Sequence, residues 1–110
     1  MRVLSHIYLG EKFLLVIDFS LGEGGQTFKW LAMAIESRIR EQKLLRKNFA
    51  QDSVVVLSIE NTNGELFDPA DRVYEHCISE SLSVKVKVVE QVSESTGWTH
   101  IPYSFTFHLS

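Results

Sequence analysis

Residues 64–89, GELFDPADRVYEHCISESLSVKVKVV, constrain this chain more than any other stretch. Asn63-Gly64 suits a turn with positive φ, and Glu65-Leu66-Phe67 is long enough only for a very short strand. Asp68-Pro69 then places proline where a first helical residue stands, which starts a turn or short helix. The stretch closes on a clean alternation. Leu82, Val84, Val86 and Val88 share one face, and Ser83, Lys85 and Lys87 share the other, so this strand has one buried side.

The residues before it supply the rest of one domain. Residues 2–9 alternate loosely as a strand, Gly10-Glu11-Lys12 is a short turn, and residues 13–21 (FLLVIDFSL) form a nearly continuous apolar strand. Two such runs joined through a glycine predict a hairpin. Thr27 is a good helix N-cap, and Phe28, Leu31, Ala32, Ile35 and Ile39 fall on one helical stripe. That helix is expected to run to about Lys43 or Leu45, with cations at its negative end. Residues 53–59 (SVVVLSI) are β-branched and read as a strand. The order β-β-α-β-β-β predicts an α+β domain, a mixed sheet of four to five strands with one main helix across one face. Residues 1–90 make the domain, and residues 91–110 form a strand-like extension packing on or extending it. That ending predicts an N-terminal domain of a longer protein.

The closing stretch resembles the last third of the ubiquitin-like β-grasp superfamily. Gly64 and Leu66 match the turn glycine and the apolar residue of the short strand. Tyr74 and Ile78 match the apolar positions before the last strand, which Ser81-Leu82 opens. The element order extends the likeness to residues 2–90. The long linker over residues 43–52 and residues 91–110 have no counterpart. The resemblance implies a domain that presents surfaces to other proteins, on the open sheet face among others. Conjugation by such domains uses a free diglycine tail, whereas Gly24-Gly25 lies inside a loop and the sequence closes on His-Leu-Ser, so a non-conjugating domain is expected.

Chemistry finds little support. The loop before the helix, Gly22-Glu23-Gly24-Gly25-Gln26-Thr27, lacks the Lys-Ser/Thr pair of a phosphate cradle, and Glu23 repels an anion. His6, His76, His100, His108 and Cys77 lack the paired spacing of zinc ligands. Asp18, Ser58 and Cys77 belong to no nucleophile motif. No enzyme, no cofactor and no metal are therefore expected. The net charge of −3 does not favour nucleic acid or an anionic membrane, and no apolar run is long enough to span one. The single Cys77 fits a reducing compartment, so the expected location is cytoplasmic.

What remains is surface. Trp30 lies opposite the buried stripe with Met33, and such a pair is a hot-spot candidate unless the aromatic residues Trp98, Tyr103, Phe105 and Phe107 cover it. Tyr8, Lys85 and Lys87 share the open sheet face if the first and last strands pair in parallel. Arg38, Arg40, Lys43, Arg46 and Lys47 make a basic helix end, against six acids and one arginine over residues 60–80. Opposite poles are the logic of head-to-tail assembly, and the layout is similar to Phox/Bem-type and polarity-scaffold N-terminal domains. By that likeness the expected function is a protein-interaction module of a larger scaffold, cytoskeletal or coiled-coil protein. The alternatives are a head-to-tail self-assembly module and a small enzyme or ligand-binding domain.

Overall fold

A computed structural model describes residues 1–42, 47, 49 and 54–90. It is an α+β domain: a four-stranded mixed sheet with one α-helix packed against it. The chain opens with β1 (Arg2–Leu9) and β2 (Lys12–Ser20), an antiparallel hairpin. Next come α1 (Phe28–Glu41), β3 (Val54–Glu60), a 3-10 turn at Val73–His76, and β4 (Ser81–Glu90). The strand order is β2-β1-β4-β3, with β1 and β4 parallel in the centre and antiparallel strands on either side. The central parallel pair joins the two ends of the described chain. Alternation in β4 meets alternation in β1, so Val84 and Val86 face the core beside Ser5 and Ile7.

The helix forms as its stripe predicts. Thr27 Oγ1 accepts the Trp30 N–H at 3.1 Å, and Phe28, Leu31, Ala32, Ile35 and Ile39 are all buried. It ends at Glu41, short of the expected Lys43 or Leu45, because Gln42 turns extended and its N–H closes on the Arg38 carbonyl. The core between helix and sheet is filled by Val3, Ile7, Ile17, Phe19, Val56 and Ile59 with the β4 valines. Phe28 also stacks on Phe67 at 4.2 Å between ring centroids, which seats the helix start on the loop after β3.

The sheet has four strands where up to five were expected. Residues 65–67 make only an isolated bridge, Glu60 to Leu66, because the chain leaves the sheet at once. Asp68 Oδ1 accepts the Ala70 N–H at 2.9 Å, and Pro69 has no N–H to continue a ladder. Asp68-Pro69 therefore starts a turn, closed by the Asp71 N–H on the Asp68 carbonyl at 3.1 Å, and the short helix follows at Val73–His76. Residues 91–110, and with them the question of what covers Trp30, lie outside the described residues. Among the described residues no helix is long and apolar enough to cross a membrane.

Candidate functional site: the helix-free face of the sheet

With the helix on one side, period two in each strand sends every other side chain to the opposite face. The register sets these into rows across the sheet. One row runs Phe13, Tyr8, Lys87 and Ser58, and the next runs Val16, His6, Lys85 and Glu60. The expected parallel pairing therefore does bring Tyr8, Lys85 and Lys87 together.

Contacts within these rows arrange the face into an apolar strip beside cations. Tyr8 packs edge-on against Phe13 at 5.4 Å between centroids, and His6 lies 6.4 Å from the same ring. Even so, Phe13 and Val16 remain 49% and 42% exposed. His6 Nδ1 donates to the Val84 carbonyl at 3.2 Å; since a carbonyl only accepts, Nε2 is the nitrogen left facing outward.

The two lysines differ. Lys87 Nζ is 3.0 Å from Glu60 Oε2, and this almost buried carboxylate neutralises it. Lys85 Nζ instead sits 4.6 Å above the Tyr8 ring, a cation–π contact, and pairs with no carboxylate among the described residues. Across the strip, Arg2 and Asp18 form an exposed ion pair, in which the Arg2 hydrogen bond holds the Asp18 carboxyl below its usual range.

A concavity of about 460 Å³ opens on this face over His6, Tyr8, Ser83 and Lys85. Its wall is the turn after β3, which is stiff. Asn61 Oδ1 accepts the N–H groups of Asn63 and Glu65 at 2.8 and 3.0 Å, and Gly64 takes φ 85°, where a side chain is strained.

The other expected surface residues lie elsewhere. Trp30 and Met33 sit one turn apart on the outer side of α1, 44% and 53% exposed, across the domain from the strip. Arg38 lies over the Phe19 ring at 5.1 Å, Arg40 is exposed in the last helical turn, and Lys47 is an exposed turn residue. Lys43 and Arg46 fall outside the described residues.

Phe13 and Val16 belong to this face although the pattern of residues 13–21 did not single them out. Asp18 and Ser20 set an alternation that turns Val16 outward, but residues 13–17 are all apolar and only the register shift opposite Ile7 and Tyr8 turns Phe13 the same way.

Little on the described surface is arranged for chemistry. Among the described residues no three His, Cys, Asp or Glu side chains converge. Burial pushes the Cys77 thiol up, and its Sγ donates to the Val73 carbonyl at 3.4 Å, so it is held as a thiol. His76 Nε2 lies 3.3 Å from Asp71 Oδ2, with its ring edge-to-face on Phe28 and Phe67. No protein-family model and no curated protein matches the sequence, so the function is read from the geometry of this face.

Proposed function

We propose that this is a protein–protein interaction domain that grips its partner with the helix-free face, and that it is a non-conjugating member of the ubiquitin-like β-grasp superfamily. The observation that carries the reading is the strip itself. Half-exposed Phe13 and Val16 continue the Tyr8 ring, beside a lysine held out over an aromatic and unpaired among the described residues. An exposed apolar patch rimmed by charge is the usual form of an interaction site. The strand order, with a parallel β1–β4 pair at the centre and a single helix, agrees with the superfamily likeness carried by residues 64–89. A module of a cytoplasmic, scaffold or cytoskeletal protein is the setting that likeness favours. The test is the double variant Tyr8→Ala with Lys85→Glu, compared with wild type in affinity for a partner. The expected result is a loss of at least about tenfold, or 1.4 kcal/mol, with unchanged amide dispersion. Equal affinity rejects the reading.

A second reading, head-to-tail self-assembly, is favoured by one observation. The acidic segment is tied to the start of α1, where Phe28 N–H bonds the Asp71 carbonyl at 3.1 Å and Lys29 N–H bonds Pro69 at 3.0 Å. Arg38 and Arg40 stand in its last turn, so the poles sit at opposite ends of a helix about 20 Å long. Self-assembly through them makes the sedimentation mass rise with concentration and fall with salt. A monomer at every concentration in low salt contradicts it.

A further inference from the structure

The edge of the sheet farthest from the strip carries a second exposed apolar surface, beside a bulge. In β3, Val56 pairs with Val88 and Ser58 pairs with Lys87, so two steps along β3 match one along β4 and Leu57 is the extra residue. The bulge resets the alternation and returns Ile59 to the core, while Leu57, next to core Val56, is 47% exposed. Glu36 reaches up from α1 to accept the Val56 N–H at 2.8 Å beside it.

Across the edge from Leu57, Leu66 is 69% exposed. The two leucines border a groove of about 420 Å³ that Pro69 and Asp68 close on the far side. This far wall is fixed by the backbone bonds from Phe28 and Lys29, so the groove is preformed. Asp68 is the charged residue of its lining, and Glu65 precedes Leu66 just outside it. Both are exposed, and neither pairs with a cation among the described residues.

We infer that the Leu57–Leu66 groove is a separate docking site for a peptide segment that sets apolar side chains between lysines or arginines. The leucines take the apolar side chains, and Glu65 and Asp68 take the cations. The helix-free face offers the opposite charge, Lys85, so the two surfaces select different segments. This inference does not depend on the function proposed for that face.

The probe is a synthetic eight-residue peptide alternating Leu with Lys, compared with one alternating Leu with Glu, titrated into the full chain and followed by backbone amide and leucine methyl NMR shifts. The Leu/Lys peptide is expected to shift Leu57 and Leu66, and the Leu/Glu peptide to bind at least fivefold more weakly there. Leu66→Ser is expected to weaken the Leu/Lys peptide at least fivefold. Glu65→Gln with Asp68→Asn is expected to remove most of its salt dependence, since Asn at 68 still accepts from Ala70 and keeps the turn. Three results overturn the inference: equal binding of the Leu/Glu peptide, shifts confined to Tyr8 and Phe13, or no shift of Leu57 and Leu66 at millimolar peptide. Shifts of the same methyls with protein concentration alone also overturn it, because they seat a second copy in the groove.

Discussion

A carboxylate inside so small a domain must be met by donors, and Glu36 is only 3% exposed, with Val56 N–H on one oxygen. Its place is intelligible only once the bulge is seen, since a bulged ladder leaves backbone groups unpaired and a buried one is costly. The sequence signals nothing of this. Glu36 follows Ile35 on a polar-looking stretch of helix, and a contact twenty residues away does not register in any local spacing. Removing the acceptor should uncover the cost. Glu36→Ala is expected to lower unfolding stability by about 1–3 kcal/mol, while Glu36→Gln, whose amide oxygen still accepts, recovers most of it. Urea midpoints of the two variants check this. Equal midpoints for Glu36→Ala and wild type exclude a structural role for the carboxylate.

The elements were legible where the apolar period was strong. The helical stripe from Phe28 to Ile39 and the alternation from Leu82 to Val88 both bury the residues their spacing selects. The parallel pairing of that last strand with β1 was only a condition for placing Tyr8, Lys85 and Lys87 on one face, and the register supplies it. Three features were not legible. Residues 65–67 have strand-like composition, but Asp68 and Pro69 turn the chain away after one bridge. In β2 the phase set by Asp18 and Ser20 reaches Val16, but the register shift opposite Ile7 and Tyr8 reverses it for Phe13, which local spacing does not show. Leu57 sits in a run that reads as regular, and the bulge at its position is seen only in the pairing of β3 with β4.

At the scale of the whole molecule, the domain separates three surfaces. Trp30 and Met33 look outward from the helix layer, Leu57 and Leu66 occupy one sheet edge, and the Phe13–Tyr8–Lys85 strip covers the other face. Of these, the strip joins exposed Phe13 and the Tyr8 ring to a lysine held over that ring and unpaired among the described residues, which is why partner binding is proposed for it. Trp30 is the competing candidate, and the two lie on opposite sides of the sheet–helix sandwich, so a short-range reporter distinguishes them. The most direct measurement is site-specific photocrosslinking in the full-length protein, with a photoreactive phenylalanine analogue at Phe13 or at Trp30. A discrete protein adduct is expected from position 13, and Lys85→Glu is expected to abolish it. An adduct from position 30 alone, or one from position 13 indifferent to Lys85→Glu, contradicts that expectation.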